Sequence, residues 1–162
     1  MKIGVLGYCS IGKRHVKNLE AMGHRCHVYD PASSMTTPRK HVLEVVDAIV
    51  IASPTKEHIT DLFSASVTGK PIFVEKPIVS SLDDMATLNL VNKDRVFVGY
   101  NLRFLPVVVR MKHILMQEDI HPIWARFTCS QFNEKDVYRR DGILLNWSHE
   151  IDLALHLLGP AK

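Results

Sequence analysis

Several groups of residues in this sequence have types and spacings suited to chemistry. Gly7-Tyr8-Cys9-Ser10-Ile11-Gly12 lies between a short apolar run and an amphipathic stretch. The first glycine of such a loop permits a tight turn, and the last lets a helix pack closely on a strand. The helix that follows presents free N–H groups and a positive dipole end, which suit a pyrophosphate. Asp30 stands 18 residues past Gly12, where a carboxylate can accept hydrogen bonds from ribose hydroxyls and repel a 2′-phosphate. The pattern implies a dinucleotide, NAD in preference to NADP. Cys9 departs from it, because a middle glycine normally lets the backbone approach the pyrophosphate.

Three polar clusters follow further apolar runs: Ser53-Pro54-Thr55, Glu75-Lys76-Pro77 and Tyr100-Asn101. Ligands of open α/β sheets bind outside the carboxyl ends of the strands, so these clusters should share one rim. Lys76 precedes a proline and is therefore held extended. From there it can address a nicotinamide or a substrate hydroxyl; the plainer reading is a solvated surface lysine.

The elements that must position these groups are legible from periodicity. Short uninterrupted apolar runs at 2–6, 26–29, 48–52, 72–74 and 96–98 read as buried strands. Helical spacing occupies 11–22, 40–46, 58–67 and 81–91, the last with Ser80 or Ser81 as its cap. This alternation predicts an α/β fold, a doubly wound parallel sheet covered on both faces. Past residue 105 the rhythm changes. A helix is expected over 107–116, a β-rich stretch over 123–132, polar loop over 133–141 and a helix over 143–158. We expect a Rossmann domain over 1–104, shortened between 31 and 46, and a remnant of an α+β domain over 105–162.

Composition narrows the classes further. The 162 residues are 46% hydrophobic with a net charge of +3, enough for a core but without a basic block for nucleic acid. Cys9, Cys26 and Cys129 are odd in number and widely spaced, as in a reducing compartment. No apolar run has membrane-spanning length and no signal pattern opens the chain. A cytoplasmic protein with neither nucleic-acid nor membrane partners is expected. His149, Asp152 and His156 fall near one helix face, but no Cys/His pair of metal spacing accompanies them, so no metal is expected.

The motifs occur in an order that resembles the glucose-fructose oxidoreductase / inositol dehydrogenase / rhizopine catabolism (Gfo/Idh/MocA) family. They are Gly7 to His15, Ser53-Pro54-Thr55 with His58, 71–77 ending in Glu75-Lys76-Pro77, Gly99-Tyr100-Asn101-Leu102-Arg103-Phe104, and Ser148-His149-Glu150-Ile151-Asp152. Within that family the sequence is most similar to the branch acting on sugars and nucleotide sugars in surface-polysaccharide synthesis. The resemblance implies an NAD-dependent oxidoreductase moving a hydride between nicotinamide and a sugar hydroxyl. It implies that Lys76 positions nicotinamide and sugar and lowers the hydroxyl pKa, and that His149 is the general acid/base, a task suited to its titration range. Gly7, Cys9, Ser10, Ile11, Gly12, Asp30, Ser53, Pro54, Thr55, His58 and Glu75 would surround the cofactor. Asn101, Arg103, Tyr138 and Arg139 would touch substrate. A homo-oligomer, dimer or larger, is implied as well.

The sequence departs from that family at Cys9 and at Asn146, where many members carry an aspartate beside the histidine. An amide cannot raise the basicity of His149. The crossover between 30 and 47 is short, and the large sheet that normally follows the histidine helix is absent from the 162 residues. A catalytically degenerate dinucleotide- or sugar-binding relative is therefore the alternative, as is a fragment of a longer dehydrogenase.

Overall fold

The computed structural model of the chain describes residues 1–33, 37–117, 120, 122, 124–128 and 147–160. They form two units, 1–99 and 100–162.

The first unit alternates strand and helix throughout: β1 (Lys2–Leu6), α1 (Ser10–Ala21), β2 (Arg25–Tyr29), α2 (Arg39–Val45), β3 (Ala48–Ile51), α3 (Thr55–Ser66), β4 (Ile72–Val74), α4 (Asp84–Leu90) and β5 (Val96–Val98). All strands pair in parallel, in the order β2-β1-β3-β4-β5. Alternate residues of a strand face opposite sides of the sheet. Ile3, Val5, Val50 and Ala52 accordingly pack with Val16 of α1. Leu6, Ile49, Ile51, Ile72 and Val74 pack on the other side with α2, α3 and α4. The strands thus read as continuous apolar runs because both faces are covered.

Helix α2 packs closely on β1 at Gly4. A Cβ on Gly4 would lie 2.8 Å from Val42 Cγ1 and 3.2 Å from Val46 Cγ2. The missing side chain at Gly4 leaves room for Val42 and Val46 to lie against the strand. The end of α2 is closed from outside: Lys70 Nζ donates to the carbonyls of Leu43 at 2.6 Å and Glu44 at 2.9 Å. A lysine there satisfies carbonyls that have no partner within the helix.

Helix α4 begins later than its spacing suggests. Serine does not cap it. The Asp84 carboxylate instead accepts from the Ser80 amide at 2.9 Å, the Ser80 hydroxyl at 2.9 Å and the Ser81 amide at 3.1 Å. These bonds, the Ser80 amide first, hold the Asp84 carboxyl below the ordinary aspartate value. They fold residues 80–83 into a turn that competes with another turn of helix.

The second unit contains a 3₁₀ turn (Asn101–Phe104), α5 (Pro106–Gln117) and α6 (Ser148–Leu158). Arg103 pairs with Asp152, and Lys112 donates to the His156 carbonyl, which ties the three elements together. Of the β-rich stretch expected over 123–132, residues 124–128 are exposed and form no strand, and the rest lies outside the described residues. A strand needs a neighbouring ladder for its backbone groups, and the described residues of this unit supply none.

Candidate functional site

The sheet order puts β1 and β3 side by side while their chains continue to opposite sides. Ligands of open α/β sheets enter the crevice at such a point. Gly7 ends β1 there with φ +96, and a Cβ on it would lie 2.4 Å from the Ser53 amide nitrogen. A Cβ on Gly12 would lie 2.1 Å from the Gly7 carbonyl oxygen. Both glycines are thus required by contact, and the N-terminus of α1 with Ser10 and Ile11 is drawn down onto the strand ends. Cys9 precedes α1 with φ −78, ψ −162, an extended conformation any residue adopts, and it is exposed. Its cost to a ligand is bulk at the mouth of the loop, not backbone strain.

A groove of about 420 Å³ opens at this point, lined among others by Gly7, Cys9, Asp30, Arg39, Ser53 and Pro54. Asp30 is buried, and its carboxylate accepts the Tyr8 amide at 2.6 Å and the Ala32 amide at 2.8 Å. Those bonds lock the end of β2 to the loop after β1.

On the neighbouring strand end, Ser53 Oγ donates to Asp61 Oδ2 at 2.6 Å, and Arg39 Nη2 pairs with Asp61 Oδ1 at 2.6 Å. Thr55 opens α3 behind Pro54. His58, expected along the cofactor ribose, is only 2% exposed. Its Nδ1 lies 2.8 Å from the Pro77 carbonyl and its Nε2 2.8 Å from the Ser53 carbonyl. Both ring nitrogens are committed to main chain, so the side chain braces the two strand-end loops from beneath. Its place in the motif could not distinguish a brace from a contact.

Glu75 ends β4, and its carboxylate meets His15 Nε2 at 2.7 Å and the Lys76 amide at 3.3 Å. Burial works against its charge. The His15 hydrogen bond and charge, the Lys76 amide and Arg14 outweigh it and hold the carboxyl below the ordinary glutamate value. The adjoining wall is Gly99, where a Cβ would lie 3.2 Å from Glu75 Oε2. Lys76 is part-buried, and its peptide to Pro77 is cis. Among the described residues none takes its ammonium in a hydrogen bond or ion pair.

The second unit gathers its own group. His149, on the first turn of α6, meets Tyr100 edge-to-face with ring centroids 6.0 Å apart. The Arg103 guanidinium lies 5.7 Å from the Tyr100 ring centroid and pairs through two nitrogens with Asp152. Burial, then the Asp152 charge, pushes the Tyr100 phenol up, with Arg103 opposing. Arg103, expected on the substrate, is thus partly neutralised by its own unit, and Asn101 is exposed beside it on the 3₁₀ turn. Tyr138, Arg139 and Asn146 lie outside the described residues.

Four residues of these networks were not assigned site roles from sequence: His15, Arg39, Asp61 and Asp152. His15 carried a signal in its place one turn after Gly12, and Asp152 another in its place in the motif with His149. The others are ordinary charged helix residues whose partners lie far along the chain. Among the described residues no group of His, Cys, Asp and Glu could hold a metal ion.

A glycine-turned loop on a parallel sheet, a strand-end acid beside it and a groove between them define a dinucleotide-binding Rossmann fold. The chain belongs to the Gfo/Idh/MocA oxidoreductase family, whose NAD-binding Rossmann fold matches residues 1–100. It is 30% identical to an oxidoreductase of Bacillus subtilis strain 168, YrbE, over 96% of this chain and 53% of that protein. It is 34% identical to the scyllo-inositol 2-dehydrogenase (NAD(+)) of the same organism, over 70% of this chain and 36% of that protein. The UDP-N-acetylglucosamine 3-dehydrogenase GnnA from Acidithiobacillus ferrooxidans shares the fold, with TM-score 0.79 and 21% identity over 100% of this chain and 58% of that one. Aligned over 96% of its own length, the chain spans about half the length of YrbE.

Proposed function

We propose that this chain serves an NAD-dependent oxidoreductase that moves a hydride between nicotinamide and a hydroxyl of a sugar, cyclitol or nucleotide sugar. The observation that carries the reading is the Gly7–Gly12 loop closed over the β1–β3 crevice with Asp30 held at its rim. The residues present fit a dinucleotide. The close contacts of Gly7 and Gly12 draw the start of α1 down onto the strand ends, and the first turn of α1 presents its amides at the crevice. The bound nicotinamide would supply the hydride acceptor.

The remaining chemistry falls to side chains of this chain. Lys76 directs an ammonium at the reacting oxygen and stabilises its developing negative charge. His149 accepts the hydroxyl proton as the carbon gives up its hydride, and returns it in the reverse direction. Asp30 orients the adenosine ribose and disfavours a 2′-phosphate, hence NAD. Relatives named for inositol and for a UDP-sugar support a polyhydroxylated substrate. The exposed apolar residues Ile151, Leu155 and Leu158 of α6 support a homo-oligomer, dimer or larger. No described helix is long and apolar enough to cross a membrane, which accords with a cytoplasmic place.

NADH titration followed by fluorescence, then sugar-dependent reduction of NAD with inositols and UDP-sugars, tests the reading. Turnover lost in His149→Ala with NADH binding retained is the expected result. Binding without turnover on any such substrate selects the second reading, a dinucleotide-binding relative without catalysis, which Asn146 in place of the aspartate before His149 favours. Absence of NADH binding rejects both.

A further inference from the structure

The groove of the first unit contains an arginine whose charge is already committed. Arg39 opens α2, nine residues beyond Asp30, and lines the same groove. Its Nη2 donates to Asp61 Oδ1 at 2.6 Å and to the Thr60 carbonyl at 3.3 Å. Asp61 is only 8% exposed. Its second oxygen accepts Ser53 Oγ at 2.6 Å, so the carboxylate is anchored from the β3 end as well as from α3. A carboxylate fixed at both oxygens gives the guanidinium little freedom to turn away.

A dinucleotide bearing a 2′-phosphate adds a nearly dianionic group beside the adenosine ribose. A site that accepts this group needs a cation with several donors, and a guanidinium answers best. Arg39 is the one arginine lining the groove among the described residues. Paired with Asp61 it presents almost no net charge. Lys56, the other cation of the groove, is well exposed and stands 3.9 Å from its neighbour Glu57. Water screens such a surface charge, and the adjoining acid offsets it.

We infer that Asp61 is a cofactor-specificity residue: by holding Arg39 it withholds from a 2′-phosphate the one guanidinium that could receive it. Asp30 and Asp61 then act on the same choice in different ways. Asp30 repels the 2′-phosphate directly, while Asp61 removes its counter-charge. The inference rests on the groove being the dinucleotide site proposed above.

Dissociation constants for NADH and NADPH, measured on wild type, Asp61→Asn and Asp61→Ser, test it. Adenosine 2′,5′-bisphosphate and 5′-AMP serve as probes of the 2′-phosphate alone. Wild type should prefer NADH. Each Asp61 variant should shift the NADH-to-NADPH preference toward NADPH by about tenfold or more, through tighter NADPH binding that weakens with added salt. The double variant Asp61→Asn/Arg39→Ala should lose that shift, because the released charge is gone. Two substitutions of different size keep the test open if one of them does not fold. Wild type binding NADH while both variants keep its preference within about threefold overturns the inference and leaves the function standing. So does a shift that survives removal of Arg39, or a wild type that prefers NADPH. Failure of every protein to bind either dinucleotide overturns the inference and the functional reading together.

Discussion

His15 and Glu75 stand 60 residues apart in sequence, yet the imidazole Nε2 and a carboxylate oxygen are 2.7 Å apart. The contact joins α1, whose first turn frames the glycine loop, to the strand end that carries Lys76. His15 also meets Phe73 edge-on with ring centroids 5.4 Å apart, so the ring is fixed by packing as well as by its hydrogen bond. Anything that loosens this pair should disturb the loop and the Lys76 strand end together.

The pair makes stability depend on acid. The Glu75 carboxyl is held below its ordinary value in the folded chain despite its burial, chiefly through His15. A depressed carboxyl contributes stability that is present above its unfolded-state pKa and is lost as pH falls through the folded one. Glu75→Gln should therefore flatten the acid limb of a melting-temperature profile while lowering stability at neutral pH by about 1–3 kcal/mol. Thermal melts of both proteins across the acid range check this; identical acid limbs would refute it.

Gly7 tolerates no side chain. Its φ of +96 lies in the left-handed region, and its Cβ position lies 2.4 Å from the Ser53 amide nitrogen. Gly7→Ala should cost more than the about 1–2 kcal/mol of the backbone conformation alone. Gly23→Ala, at φ +81 with open space around it, should cost only that amount. Urea denaturation of the two variants measures the difference.

Cys9 is the position at which a ligand would gain most from a smaller residue. Its φ of −78 suits any residue, and glycine serves adequately before a helix. Cys9→Gly should tighten NADH binding by about tenfold, or about 1.4 kcal/mol, with little change in stability. A fluorescence titration decides it, and weaker binding would show that the thiol contributes contact, not obstruction.

Arg103 and Asp152 are unequal partners. Asp152 is 6% exposed, whereas the Arg103 side chain is 41% exposed. Removing the arginine leaves a buried carboxylate uncompensated, so Arg103→Ala should destabilise the second unit by about 2–3 kcal/mol after allowance for solvent near the guanidinium. Arg103→Lys should recover only part of this, because an ammonium cannot reproduce the paired donors. Chemical denaturation of the three proteins checks the order.

Much of the site's framework could be read without coordinates. Gly7, Asp30, Ser53 and Glu75-Lys76-Pro77 each sit at the boundary of an apolar run. A parallel sheet must bring such boundaries to one edge. His58 could not be read in the same way. Its spacing after Ser53-Pro54-Thr55 suits a residue facing the groove or one beneath it, and only packing puts its ring between the Ser53 and Pro77 carbonyls. The start of α4 was also hidden, because serine caps and aspartate-closed turns use the same polar residues in nearly the same order.

The sequence by itself determined the five strands of the first unit, the helices between them and the loop that opens the groove. Those features depend on local periodicity and on glycine's freedom, both of which act within a few residues. The tertiary structure alone decided that His15 meets Glu75, that Asp61 holds Arg39 and that Asp152 holds Arg103. Such pairs depend on where the sheet and helices place side chains distant in sequence. A charge carries no mark of its partner until folding removes it from water and makes a specific counter-charge necessary.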